Sequence, residues 1–249
     1  MKIIFIAAGS STRFGNQTLN FPKGLIKINN NSIIGTQLDL FKNKNFNDII
    51  IITGPNADKF DFKDVTYIND KNHKKHDVLG SLMTAKFQMN DEIITTYSDI
   101  VFDEKILNSI IKFTGDFGIA VDLNWKTKYV NRDQHPINEA DNVLIENGMI
   151  LEIRKNITKC EDGQIICEFL GLMKLSKNGT KIFKDKYFEL IKSHNGKFHN
   201  APSLERAYLT DMLQELINSG IQISPIFVNG NWCEIDTPQD LEIAKKILK

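Results

Sequence analysis

The sequence predicts an α/β fold: a mixed, mostly parallel central sheet flanked by helices. Two observations carry this. Short apolar, β-branched runs such as Ile3–Ile6 and Ile49–Thr53 alternate along the chain with longer amphipathic stretches. Strand–helix alternation of this kind builds a largely parallel sheet with helices on both faces. In addition, 249 residues at 41% hydrophobic content can bury the core of one large domain.

The elements follow in order. Lys2–Ala8 reads as a buried strand that enters a small-residue loop, Gly9-Ser10-Ser11. Leu25–Ile28 alternates and runs into the turn Asn29-Asn30-Asn31. Ser32 is placed to cap a helix carrying Ile33, Ile34, Gln37, Leu38 and Phe41. Asp48–Thr53 is a second buried strand, ended by Gly54-Pro55, and Val65–Ile68 a third. Asp77 is expected to cap a helix from Val78 to about Met89 that buries Leu79, Leu82, Met83 and Phe87. Glu92–Tyr97 is a fourth strand ending on Ser98-Asp99, and Asp103 suits the cap of a helix over Glu104–Phe113. Phe117–Val121 is a fifth strand. Trp125–Pro136 reads as a loop or short helix. Asn142–Arg154 and Gln164–Leu175 read as β-arms, with a hairpin turn at Asn147-Gly148. Helices over Lys177–Lys192 and Ser203–Ser219, a strand over Gln222–Val228 and a helix opening at Thr237-Pro238 complete the chain. No repeat or linker interrupts it, so residues 1–249 are expected to form a single domain.

Composition excludes several classes. The 31 basic and 31 acidic residues balance, which argues against nucleic acid or an anionic membrane as the main partner. Cys160, Cys167 and Cys233 are odd in number and lack metal spacing, so neither a disulfide framework nor structural zinc is expected. The N-terminal apolar run is too short for a signal peptide or a membrane span, and a cytoplasmic location is expected. His73, His76, His194 and His199 show no metal-site spacing and carry no assignment.

The chemistry-bearing residues begin in the first loop. Ala7, Ala8, Gly9 and Ser10 let a ligand approach backbone N–H groups, which suit phosphate oxygens. Arg13 and Lys23 add positive charge nearby, as a nucleoside-triphosphate site would need in place of the usual phosphate loop. The dinucleotide fingerprint and the G-x-x-x-x-G-K-[ST] loop are both absent. Asp99 stands at the C-terminal end of a buried strand, where ligands of open α/β sheets bind. With Asp103 available as a cap, Asp99 is free for a metal. A triphosphate travels with Mg2+, which takes one or two carboxylates, and Asp236 is the best second candidate. Asp236 and Thr237 compete for the cap of the last helix, and Thr237 alone would free the acid. Arg154 and Lys155 end a β-arm, either as a solvated edge guard or aimed at a phosphate. Glu168 lies in an apolar run and needs a partner. Trp125, Tyr129 and Arg132 stand at helical spacing and read as one face of a substrate-facing lid that continues to His135, Pro136 and Glu139.

These residues resemble a known family over nearly the whole chain. Ala7-Ala8-Gly9 with Arg13 and Pro22-Lys23 is similar to the sugar-nucleotidyltransferase signature. Gly80-Ser81-Leu82, Ser98–Val101, the segment from Trp125 to Ala140, Ile153-Arg154-Lys155, Glu168–Gly171, Tyr208–Asp211 and Glu234–Thr237 resemble its small cytidylyltransferases. The branch they resemble most is that of choline-phosphate and 2-aminoethylphosphonate cytidylyltransferases. The resemblance implies a Rossmann-like nucleotidyltransferase fold with a small β-arm or lid. Residues 1–121 would mainly bind nucleotide and residues 122–249 the acceptor. It implies CTP and a small phosphate or phosphonate acceptor as partners, with Mg2+ on Asp99 and Asp236. Arg13 and Lys23 would meet the β- and γ-phosphates, and Lys155 would orient the acceptor. Ala8, Gly9 and Ser81 would line base and ribose. Acceptor contacts are expected from Asp122, Trp125, Tyr129, Arg132, Glu139 and Glu168. Trp125, Tyr129 and Trp232 could cage a choline head, whereas Asp122, Glu139 and Glu168 would suit a primary ammonium. A hexose-1-phosphate enzyme using UTP or dTTP and a non-catalytic nucleotide-binding regulator are the alternatives, and a homodimer is left open.

Overall fold

A computed structural model describes residues 1–9 and 21–247. Ser10 and Arg13 lie outside the described residues.

Strand β1 (Lys2–Ala7) is central because its side chains are apolar on both faces. Ile4 and Ile6 enter one core layer, and Ile3 and Phe5 the opposite one. Two minor strands, β2 (Lys27–Ile28) and β3 (Asn31–Ser32), pair antiparallel about the Asn29 turn. Ser32 then caps α1 (Ile33–Asn43) by accepting from Gly35 N at 3.0 Å. Strands β4 (Ile49–Thr53), β5 (Thr66–Asn69) and β6 (Ile93–Tyr97) run parallel to β1 in the order β5-β4-β1-β6.

Helix α2 (Val78–Leu82) is shorter than the sequence reading and passes into a 3-10 turn, Met83–Ala85. The Asp77 side chain does not cap it. Instead, Asp77 N and Leu79 N donate to the carbonyls of Glu205 and Ala207. The same contact explains a second correction. The expected helix over Ser203–Ser219 is broken, because Glu205 and Ala207 spend their carbonyls on the start of α2. Phe87, expected in the core, is exposed beyond the shortened helix.

After β6 come β7 (Ile100–Phe102), α3 (Glu104–Lys112) and β8 (Phe117–Asp122). Asp103 caps α3 through Ile106 N. Strands β9 (Asp141–Glu146) and β10 (Met149–Lys155) form the hairpin, and Asn147 and Gly148 both take positive φ, as a two-residue turn requires. The 12-residue β11 (Gln164–Leu175) ties the sheet together. Its second half, Leu172–Leu175, pairs antiparallel with β6; its first half, Gln164–Glu168, pairs with β9. β8 runs along its other edge with a register shift between Phe169 and Met173. Gly171 lies in that irregularity with φ +77°, and a Cβ there would stand 2.3 Å from the Tyr97 ring.

Helices α4 (Lys177–Ser193) and α5 (Leu209–Asn218) complete the layer containing Ile4. α1 and α3 form the other. β12 (Ser224–Phe227) adds parallel to β8. β13 (Trp232–Glu234) pairs with β7 in a small separate sheet, covered by α6 (Pro238–Ile247). β7 and β13, three residues each, were not anticipated: so short a run carries no periodicity. The architecture is the expected Rossmann-like one, a mixed sheet with helices on both faces.

Candidate active site

A cleft of about 780 Å³ opens where β1 and β6 end and β11 changes partners from β6 to β9. Crevices beyond strand C-termini are where such sheets bind ligands. Ala7, Ala8 and Gly9 line one wall. The loop end is tightly packed, since a Cβ on Gly54 would stand 2.2 Å from the Ala8 carbonyl oxygen.

Lys23 opens the 3-10 turn Lys23–Leu25 and reaches the carboxylates expected to hold metal. Its Nζ donates to Asp99 Oδ2 at 2.8 Å and to Asp236 Oδ1. Residues from three distant parts of the chain therefore meet at one point. Burial works against the Lys23 charge, but Asp99, Asp236 and Glu234 outweigh it and raise its pKa. Glu234 has the opposite problem: burial and the neighbouring Asp236 and Asp99 drive its carboxyl well above the usual range. Asp99 Oδ1 is buried without a hydrogen-bond partner among the described residues. Thr237 acts as the helix cap: its Oγ1 accepts from Asp240 N at 3.3 Å, and Asp240 Oδ2 accepts from Thr237 N at 2.9 Å. Asp236 is thus left to the site.

His135, which carried no role in the sequence reading beyond its motif, lies beside this group. It, Glu234 and Asp236 each offer a ligand atom, all within 4.8 Å of one another. His135 Nδ1 lies 2.9 Å from Arg132 Nη2. Nδ1 also lies 3.5 Å from Asp240 Oδ2, and Nε2 is buried without a hydrogen-bond partner among the described residues.

Arg132, an expected acceptor contact, is buried and is not among the residues that line the cleft. Its Nε donates to Asp240 Oδ1 at 2.8 Å, and its guanidinium lies over the Tyr129 ring at 4.9 Å. The other lid residues also turn inward. Trp125 and Tyr129 share a 3-10 turn, are buried, and pack edge-to-face at 5.8 Å. Trp125 Nε1 donates to Ile166 O, and Tyr129 Oη donates to Glu168. Neither is among the residues that line the cleft. Asp122 is likewise occupied, holding Trp232 Nε1 at 2.7 Å and Asn124 N at 2.7 Å.

Three expected acceptor residues do line the cleft: Lys155, Glu139 and Glu168. Lys155 pairs with Glu139 at 2.8 Å. Burial pushes Glu168 up to about 8, with Tyr129 and Arg132 opposing; its Oε2 has no hydrogen-bond partner among the described residues. Asp141, absent from the sequence reading, also lines this end, and burial raises it to about 6. Ser81 lines the opposite arm, but its hydroxyl donates to the fully buried Asp70 at 2.9 Å. Asp70 and His76 carried no assignment, and no spacing in the sequence connects them to Ser81.

Small residues at a strand end, a cation between two carboxylates and a cleft at the sheet's partner switch define a nucleotidyl-transfer enzyme. Comparison with known proteins places it further. Residues 3–135 match the model of the MobA-like NTP transferase domain, and the chain belongs to that family. It is 26% identical over 257 residues to the CTP:phosphoglutamine cytidylyltransferase of Campylobacter jejuni, covering 98% of each chain. It is 31% identical over 119 residues to the choline-phosphate cytidylyltransferase of Streptococcus pneumoniae, covering 46% of this chain and 52% of that one. The fold is similar to the solved CTP:phosphocholine cytidylyltransferase of S. pneumoniae, with TM-score 0.73, 19% identity and coverage of 100% and 98%. It is also similar to the inositol-1-phosphate CTP transferase of T. maritima, with TM-score 0.72, 16% identity and coverage of 99% and 94%. No helix among the described residues is long and apolar enough to cross a membrane.

Proposed function

We propose that the protein transfers CMP from CTP to a small phosphate- or phosphonate-bearing acceptor and releases pyrophosphate. The observation that carries this reading is the meeting of Lys23, Asp99 and Asp236 beside the Ala7–Gly9 strand end. The full-length similarity to a CTP-using relative supports the choice of nucleotide.

An anionic acceptor oxygen attacks the α-phosphorus. The bond from that phosphorus to the bridging oxygen of the β-phosphate breaks, and both electrons leave with pyrophosphate. The acceptor is already ionised at neutral pH, so the chain need supply no base. Its work is positioning and charge neutralisation. Residues 1–121 would hold the nucleotide, with Ala7–Gly9 and Ser10 against it and Arg13 and Lys23 on the leaving phosphates. Residues 122–249 would form the acceptor side, with Lys155 on the incoming phosphoryl group.

Asp99 and Asp236 fit Mg2+: they converge on one cation already, the Lys23 ammonium, and Asp99 keeps a buried oxygen unused. When bound, the ion would neutralise charge at the α-phosphate. Lys23, released from the acids, would then be free for the leaving phosphates.

The test is pyrophosphate release from CTP and Mg2+ against phosphocholine, phosphoethanolamine, 2-aminoethylphosphonate and a phosphorylated amino acid amide. Turnover of at least one acceptor is expected. UTP turnover with a hexose phosphate alone would overturn the reading.

A further inference from the structure

We propose that His76, anchored by Asp70, is the residue that selects cytosine over uracil. The inference rests on the use of CTP proposed above and adds what reads the base.

The cleft has three reaches. Lys23, Asp99 and Asp236 occupy the middle, and Lys155, Glu139 and Glu168 one end. With phosphates in the middle and acceptor at that end, the base falls to the remaining reach, lined by Pro55, His73, His76, Val78 and Ser81. Lys74, Asp77, Arg206 and Tyr208 also line the cleft, and His76 is the lining side chain whose ring is bonded through Nδ1 to the carboxylate of a fully buried acid.

Asp70 is fully buried and surrounded by donors. It accepts from Asn72 N at 2.9 Å, from Ser81 Oγ at 2.9 Å, and from His76 Nδ1 at 3.0 Å to each oxygen. A carboxylate receiving three donors is an acceptor only, so the His76 Nδ1 carries hydrogen. In the neutral form of a ring with hydrogen on Nδ1, Nε2 presents the lone pair. The ring is also wedged in place, because a Cβ on Gly80 would stand 2.8 Å from His76 Cγ. A fixed lone pair accepts from the exocyclic N4 amino group of cytosine and meets the O4 oxygen of uracil as a second acceptor. Ser81 thereby gains a role different from base contact. Its hydroxyl secures the anchor of His76.

The experiment compares CTP and UTP on the wild type, His76→Ala and Asp70→Asn. Calorimetric binding is measured alongside kcat/KM with one fixed acceptor. The wild type is expected to favour CTP. His76→Ala should lower the CTP-to-UTP ratio about tenfold or more, chiefly through weaker CTP binding. Asp70→Asn, which keeps the ring but replaces one of the two oxygens that face Nδ1 with an amide donor, should shift the ratio in the same direction. A His76→Ala protein that binds CTP and UTP in the wild-type ratio would overturn the proposal. A wild type that prefers UTP would overturn both this assignment and the choice of CTP. CTP binding without turnover of any acceptor would count against the proposed transfer alone, and the calorimetric ratio would still decide the role of His76. Should Asp70→Asn fail to fold, His76→Ala alone decides the matter, since it replaces a cleft-lining ring and not a fully buried acid.

Discussion

Arg132 and Asp240 form a buried ion pair across 108 residues, with 2% and 0% of their side chains exposed. The pair stitches the segment after β8 to the first turn of α6. Arg132 also donates to the Glu234 carbonyl and to His135. Asp240 takes backbone N–H bonds from Asp236 and Thr237, which fixes the strand end that presents Asp236. Burial opposes ionisation of Asp240, and the donors and guanidinium around it more than offset this and depress its pKa. Removing one partner leaves a buried charge unpaired. Arg132→Ala is therefore expected to destabilise by about 3–5 kcal/mol in urea unfolding. A loss below about 1 kcal/mol would mean that the pair is not the stitch described here.

Lys23 carries the clearest catalytic prediction. Lys23→Ala should cut kcat by about 10²–10³, the usual cost of one preorganised donor at developing charge. Its circular dichroism spectrum should stay native, because the residue opens a three-residue turn at the cleft surface. Asp99→Asn and Asp236→Asn should lose activity comparably and shift the Mg2+ concentration needed for half-maximal rate.

At the far end of the cleft, Lys155 should separate the two substrates. Lys155→Ala is expected to raise the acceptor KM about tenfold or more, with the CTP KM changing far less. Equal effects on both would place Lys155 on the nucleotide instead.

Glu168 makes stability depend on pH in a direction that can be worked out. Its carboxyl lies at about 8 in the folded protein against 4.5 for the free group. Between those values the native state binds more protons than the unfolded state, so stability falls as pH rises. The contribution is fully present below 4.5 and is lost as pH passes through about 8. Asp141 adds the same trend between 3.8 and about 6. Glu168→Gln, neutral at every pH, should match the wild type near pH 5 and exceed its melting temperature near pH 8.5. A constant difference across that range would contradict a buried, ionising Glu168.

Gly171 couples the sheet to the cleft. Alanine there would be strained by the positive φ and would press on Tyr97, a cleft-lining residue. Gly171→Ala should cost about 1–3 kcal/mol and lower kcat/KM together. Loss of stability without loss of turnover would separate the bulge from the site.

How far this molecule could be read beforehand depended on how locally each feature is encoded. β1 and β4 are legible because strands covered on both faces must be apolar throughout. Ser32 and Asp103 are legible because a cap bonds within three residues of itself. Asp99 and Asp236 could be picked out as acids at strand ends, and the structure brings them to one lysine. For Trp125, Tyr129 and Arg132, helical spacing says that side chains share a face, not which way the face turns. Here it turns toward Glu168 and Asp240, partners 39 and 108 residues away. Asp77 failed as a cap for the same reason, since the carbonyls that replaced it come from residues 205 and 207. The Asp70–His76–Ser81 cluster is local in sequence, yet its meaning required seeing that Asp70 is fully buried.

Strand β11 belongs to two neighbourhoods at once, bonded to β6 along one half and to β9 along the other. The β9–β10 hairpin, with Asp141 and Lys155 at its cleft end, is therefore bonded to the β5-β4-β1-β6 sheet by way of β11, while its inner side chains Val143, Ile145, Ile150 and Ile153 share a core with Ile4 and Ile6. Sites that share partners do not vary independently. Under the proposed function, a change of acceptor would fall on the hairpin's cleft-end residues, Asp141 and Lys155, while the side chains it lends to the common core stay as they are.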